Sequence, residues 1–296
     1  MAIVQPKSQR LRLLAAHAFL LLLCAAVLFP FLVVVSVSLR PGNFAAGSLI
    51  PQAVSWEHWR YVLGLAVPGP DGKPIRPDLP VLLWLWNSVK VALLSAGVML
   101  LLSTTASYAL ARIRFRGRRQ LLTGLMLMQM FPAVLALVAI YAIFDRIGSV
   151  FPAFGLNTHA ALVLAYSGGI AMHVWTLKGY YDTLPGEIEE SARVDGATPW
   201  QAFRKVLLPM ALPMLVVVFM LAFIGAVIEY PVASVILSQQ DQLTLAVGSK
   251  LFVQEHNFRW GDFAAAALLS GLPITVVFLL AQRWMIAGLA AGGVKG

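Results

Sequence analysis

From Leu13 to Leu39 the chain carries no Asp, Glu, Lys or Arg. That run fixes the solvent this segment can live in. About 20 apolar residues in a helix cross the hydrocarbon of a bilayer. In lipid every backbone N–H and C=O must be paired within the protein, so a continuous apolar run of this length spans as a helix. Lys7, Arg10 and Arg12 precede it. A secretory signal also begins with basic residues, but its apolar stretch is only about 7 to 15 residues long. The run is therefore read as a retained first helix, 13–39. Five more apolar runs follow, at 82–111, 121–144, 158–177, 207–237 and 263–287. The fourth is short and is interrupted by Gly168-Gly169 and His173.

Composition agrees. The chain is 59% hydrophobic and 12% charged, against about 25% charged in soluble domains. Mean hydropathy is +0.80. The net charge of +9 does not read as a nucleic-acid footprint, because the basic residues sit in short segments between apolar runs, where Lys and Arg set topology. The single cysteine, Cys24, allows no disulfide framework. The five histidines show no metal spacing, and there is no HExxH, GxSxG or P-loop motif. The chain is thus expected to hold no catalytic residue and no metal.

The distribution of basic residues orients the spans. With the N-terminus inside, the inner segments hold Lys7, Arg10, Arg12, the run Arg112, Arg114, Arg116, Arg118 and Arg119, then Lys178, Arg193, Arg204, Lys205, Arg283 and Lys295. The outer segments hold half as many: Arg40, Arg60, Lys73, Arg76, Arg146, Lys250 and Arg259. Both termini are therefore expected in the cytoplasm. Trp84, Trp86 and Trp260 at outer ends, with Trp175 and Trp284 at inner ends, read as interfacial anchors. The loop 40–81 is rich in proline, which removes backbone donors and disfavours a long regular element.

One inner segment, 178–209, is long and patterned. Pro185 and Gly186 open a short helix whose Glu187, Glu189 and Glu190 lie at the positive end of its dipole. Asp195-Gly196 stops it. Thr198, Pro199 and Gln201 form a capping box for a second helix. Trp200, Phe203 and Leu207 repeat on one face, and Leu208-Pro209 closes the element before the fifth span. A compact helix–turn–helix at the water surface is suited to docking in a groove of a soluble partner.

The segment from Glu190 through Asp195-Gly196 to Leu208-Pro209 resembles the "EAA" loop of importer-type ABC permeases. Ser191 stands where the family has its first alanine after the glutamate, a small residue in either case. Further segments resemble the smaller permease subunit of maltose/maltodextrin importers: Ser38-Leu-Arg-Pro-Gly-Asn-Phe44, Leu83-Trp-Leu-Trp-Asn-Ser-Val-Lys90, Gln129-Met-Phe-Pro-Ala133, Trp260-Gly-Asp-Phe-Ala-Ala-Ala266 and Gly292-Gly-Val-Lys-Gly296. The resemblance covers essentially the whole chain. It implies an all-α integral membrane fold of type I ABC importer permease architecture, with six transmembrane helices. Residues 1–296 would form one permease domain: a first helix at 13–39, a periplasmic loop at 40–81, a five-helix core at 82–289 and a tail at 290–296.

The same resemblance implies partners and roles. A second, MalF-like permease subunit, a MalK-like ATPase subunit dimer and a periplasmic sugar-binding protein would complete an importer of maltose/maltodextrin. This chain would bind no cofactor; ATP and Mg would sit on the ATPase subunits. Glu190, Ser191, Ala192, Asp195, Gly196, Leu208 and Pro209 would couple to the ATPase. Gln254, Glu255, His256 and Asn257 would contact the binding protein, and the tail would touch the ATPase. The partner permease would hold most of the sugar contacts, so no sugar-binding residue is assigned to this chain. Glu229 is the clearest intramembrane carboxylate, a group expensive to place there. Beside Tyr230-Pro231 it either reaches the interface or pairs across the bundle. Two other classes compete. An ion-coupled transporter needs buried carboxylates in repeated halves, and only Glu229 offers itself. A membrane enzyme needs paired groups, and His173 and Glu229 are expected at opposite ends. A permease for another oligosaccharide or polyol also fits the pattern.

Overall fold

A computed structural model describes residues 7–68, 73–254 and 257–292. Thirteen helices account for most of them: α1 Lys7–Ser38, α2 Glu57–Val62, α3 Val81–Arg112, α4 Arg118–Met130, α5 Leu137–Val150, α6 His159–Ser167, α7 Ile170–Thr183, α8 Gly186–Val194, α9 Pro199–Ala202, α10 Leu208–Ile228, α11 Pro231–Ile236, α12 Leu245–Gly248 and α13 Trp260–Gly292. The strands are two-residue ribbons, β1 Val67–Pro68 with β2 Pro74–Ile75 and β3 Val253–Gln254 with β4 Asn257–Phe258.

Among the described residues four helices are long and apolar enough to cross a membrane unaided: Leu11–Ser38, Val81–Arg112, Pro199–Ile228 and Trp260–Trp284. Two bent pairs, α4 with Val134–Val150 and α6 with α7, bring the number to six when each pair is counted as one span. The expected third span is therefore not one straight helix. Phe131 takes an extended backbone before Pro132, because proline disfavours the α conformation in the residue before it. The fourth span breaks at Gly168-Gly169 with a 48° bend. The fifth ends at Ile228, where Glu229 is extended, and restarts at Pro231.

The chain divides into two units, Met1–Pro80 with Ser249–Leu269, and Val81–Gly248 with Ser270–Gly296. In the first, none of the apolar window of α1 is buried. Beyond α1, Arg40 folds the chain back through bonds from Nη2 to the Ser48 carbonyl (2.6 Å) and Ser36 Oγ (3.2 Å). The segments around Asn43, His58 and Asp262 then lock together. Asn43 Oδ1 accepts from the amides of Gly261 (3.0 Å) and Asp262 (3.2 Å). His58 faces Asp262 Oδ1 at 2.7 Å through Nδ1. Its Nε2 lies 3.0 Å from the Arg40 carbonyl and 3.2 Å from that of Gly42. Carbonyls only accept, so Nε2 carries a proton, and the carboxylate favours a second one on Nδ1. Any side chain on Gly261 would collide with the His58 ring.

In the second unit α3 is the central post, packed against α6, α7 and α10. Its N-terminal half holds down the segment after α11. Trp84 Nε1 donates to the Gln240 carbonyl (2.7 Å), and Asn87 Nδ2 donates to those of Asp241 (2.9 Å) and Leu243 (3.0 Å). Ser88 Oγ accepts from the Leu245 amide at 2.8 Å. Leu243, Thr244 and Leu245 are buried there, because α3 supplies partners for their backbone. Trp84 likewise is fully buried and not an interfacial anchor, whereas Trp86 stays exposed.

Candidate coupling site

The loop between α7 and α10 folds as its local chemistry dictates. Glu187 and Glu189 occupy the first turn of α8, where carboxylates favour the helix dipole. At the other end the Gly196 amide bonds the Arg193 carbonyl (3.1 Å) and the Ala197 amide bonds that of Ala192 (2.9 Å). This is a Schellman stop, and it places Gly196 at φ +90°. Thr198 Oγ1 accepts from the Gln201 amide (3.3 Å) while Gln201 Oε1 accepts from that of Thr198 (2.8 Å), the reciprocal capping box read in the sequence.

Leu208-Pro209 does not close the element. Phe203–Leu207 forms a π-helical turn that runs straight into α10. A proline in a helix lacks a donor and crowds the carbonyl four residues back; the wider turn makes room for Pro209. The second helix is therefore a rigid extension of the fifth span, with no hinge between them. Its apolar stripe also splits. Phe203 and Leu207 are buried with Leu177, Tyr181, Ala211 and Val218, but Trp200 is 60% exposed, its ring 5.3 Å from that of Phe203.

The carboxylate that ties α8 to the bundle is Glu189, which the sequence reading did not single out. It is buried, and its Oε1 accepts from Arg112 Nε at 2.6 Å. Arg112 Nη2 also donates to the Leu184 carbonyl (2.9 Å). Arg112 thus clamps the start of α8 to the end of α3, beyond any role as a topology marker. The signal was present as an acidic residue at a helix start and an arginine at a span end, but nothing local pairs them. With Glu189 turned inward, the outward face carries Glu190, Ser191, Val194 and Asp195, all exposed, with Ala192 half-buried. Val194 is 88% exposed. A surface of small, acidic and apolar side chains without a partner among the described residues can dock in a groove.

The remaining candidates lie elsewhere. Gln254 is exposed at the end of β3 and Asn257 begins β4 of the same ribbon; Glu255 and His256 lie outside the described residues, as does the tail from Gly293. Glu229 pairs within the bundle. Its Oε2 accepts from the Tyr166 hydroxyl (2.8 Å) and the Ala233 amide (2.9 Å), and its Oε1 from the Val232 amide (2.8 Å). It caps α11. His173 and Glu229, expected at opposite ends, line one cavity of about 170 Å³; the breaks in α6–α7 and α10–α11 bring them together.

Outside the spans, titration is shifted in the lock around Asp262. Burial would lower the His58 pKa, but the bond and charge of Asp262, with Glu57 adding, raise it above its ordinary value. Burial and the bond to Asp78 push Tyr61 up to about 12, against the opposing charge of Arg259. Arg259 spans Tyr61 Oη (3.1 Å), Asp78 Oδ1 (3.2 Å) and Asp262 Oδ2 (2.8 Å) and lies 4.1 Å over the Tyr61 ring.

Residues 101–290 match the family described as "Binding-protein-dependent transport system inner membrane component". Curated relatives extend the likeness to the whole chain. "Maltose/maltodextrin transport system permease protein MalG" of Salmonella typhimurium is 60% identical over 296 residues, covering 100% of both chains. Those of Escherichia coli K12 and Photorhabdus laumondii are 59% identical over the same span, again covering 100% of both chains. Among solved structures, a bacterial ABC transporter "involved in the import of the acidic polysaccharide alginate" has a chain of the same fold (TM-score 0.75, 20% identity, 94% of this chain and 98% of that one). The MetNI methionine ABC transporter has another (TM-score 0.57, 19% identity, 69% of this chain and 94% of that one). The chain belongs to the family of inner-membrane components of binding-protein-dependent transport systems, as a multi-pass ABC permease subunit.

Proposed function

We propose that this chain forms half of the membrane passage of a maltose/maltodextrin importer. It works with a second permease, an ATPase dimer and a periplasmic sugar-binding protein, with both of its own termini in the cytoplasm. The observation that carries the cargo is full-length identity of 59–60% to relatives named as maltose/maltodextrin permeases. The observation that supports the coupling role is the loop's division of labour. Glu189 and Phe203 fix it to the bundle, while Glu190, Ser191 and Val194 face out. Closure of an ATPase dimer around that face would move α8 and the stiff π-turn together, and the span would follow without slack. In this reading the β3–β4 ribbon, with Gln254 and Asn257, faces the binding protein.

The test is ATPase activity of the assembled complex in proteoliposomes. Stimulation that requires both the cognate binding protein and maltose is expected. Stimulation by a different sugar alone would change the cargo and keep the mechanism. Failure of the chain to associate with an ATPase subunit would overturn the coupling role.

A further inference from the structure

We infer that Arg259 is a strut that holds the β3–β4 ribbon in place for the binding protein, so that the ribbon is ordered before the two proteins meet. The inference rests on the reading that this ribbon faces the binding protein, and it adds a positioning residue to that reading. Each strand has two residues, with Val253 opposite Phe258 and Gln254 opposite Asn257. A two-stranded hairpin is marginally stable at best in water, so a ribbon this short cannot fix its own direction. What fixes it lies at its mouth. The Arg259 amide donates to the Phe252 carbonyl at 2.7 Å and closes the two ends. Phe252 is fully buried, and its ring meets that of Tyr61 edge-on at 6.0 Å.

The Arg259 side chain ties that mouth to two other segments. Its Nε donates to Asp262 Oδ2 at 2.8 Å, and its Nη1 donates to the Tyr61 hydroxyl (3.1 Å) and Asp78 Oδ1 (3.2 Å). The guanidinium lies 4.1 Å over the Tyr61 ring and 5.5 Å from the centre of the Phe252 ring. The Tyr61 hydroxyl in turn donates to Asp78 and accepts from the Leu79 amide at 3.2 Å. A planar fork reaches two carboxylates on separate segments at once, which the single ammonium of lysine cannot copy. The body of this unit does not depend on the strut. Asp262 is already paired with His58, and Asn43 accepts from the amides of Gly261 and Asp262. Loss of the Arg259 side chain therefore leaves α2 joined to the start of α13 and releases the ribbon and Asp78. A contact ordered beforehand spares the ordering cost at binding. Apparent affinity falls with the fraction of time the ribbon is out of position.

The experiment titrates maltose-loaded binding protein against the ATPase activity of the full importer in proteoliposomes. Arg259→Met should raise the half-maximal concentration about threefold to tenfold. It should leave the rate at saturation at the native level, because a displaced ribbon weakens docking without touching the coupling loop. Arg259→Lys, which keeps the charge but not the fork, should fall between. Asp78→Asn changes an exposed side chain and should shift the same parameter in the same direction. A native half-maximal concentration in the Arg259→Met complex would overturn the inference. So would a lost saturating rate at an unchanged half-maximal concentration, which marks a structural role only. Gln254→Arg, on the exposed ribbon itself, separates the inference from the reading beneath it. If Gln254→Arg weakens docking and Arg259→Met does not, the ribbon meets the binding protein but needs no strut. If neither weakens it, the ribbon does not meet the binding protein and both fall.

Discussion

At the scale of single residues, the structure rests on a few charged groups placed where they are expensive. Arg112 and Glu189 pair at 2.6 Å with little solvent access. Removing one partner leaves the other unpaired, so Arg112→Ala should destabilise the subunit by about 2–3 kcal/mol, the cost of a lost charge-assisted bond with its acceptor stranded. Thermal unfolding of the complex would read this as a lowered Tm, and an unchanged Tm would refute it. His58 behaves differently. Its pKa is raised in the folded state, so its contribution is fully present below about 6.5, the unfolded value. It is lost as pH rises through the higher folded value. Amide exchange across 40–62 should therefore quicken as pH climbs above neutrality, after correction for the intrinsic rate, and His58→Gln should abolish that dependence. A pH-independent protection factor in the native chain would contradict the doubly protonated imidazole. Asn43 and Asp262 were visible in the sequence only as members of two resemblance segments; that those segments meet over His58 is a fact of the fold.

At the scale of elements, the coupling loop was legible because its signals are local. A proline and glutamates start α8, a glycine ends it, and a capping box starts α9. Each acts within four residues. Thr198→Ala should cost about 1 kcal/mol, as loss of an N-cap does, measurable as a lower Tm with ATPase assembly retained. Gly196 at φ +90° makes a poorer probe of docking than Glu190, because any side chain there costs about 1–2 kcal/mol of backbone strain before it touches a partner. Glu190→Lys is the clean variant. It sits on the exposed face, and it should leave the subunit's Tm within about 0.5 kcal/mol of native while uncoupling ATP hydrolysis from transport. Transport at native rate would remove Glu190 from the coupling surface. The fifth element was misjudged in the sequence at both ends. Pro209 was read as a stop where a π-turn absorbs it, and the span was carried through Glu229, where the helix breaks.

At the scale of the whole molecule, the unit built around α3 is held by contacts between residues far apart in the chain. Trp84 is fully buried under the Gln240 carbonyl and Gly248, which has no room for a side chain against the indole. Trp84→Ala should cost about 3–5 kcal/mol, as deletion of a buried aromatic does, and should raise amide exchange across 238–248; unaltered exchange there would show that Asn87 and Ser88 suffice. The sequence by itself determined the apolar spans, the polar loop between the fourth and fifth, and the caps of its helices. These follow from solvent and from neighbours within one turn, and lipid leaves the backbone almost no alternative to helix. Only the tertiary structure decided which polar groups meet. His58 with Asp262, Arg112 with Glu189 and Tyr166 with Glu229 are pairs separated by tens to hundreds of residues. A buried polar group must find a partner, but the requirement does not name one. The choice is made by where broken helices and a bent loop bring distant segments together.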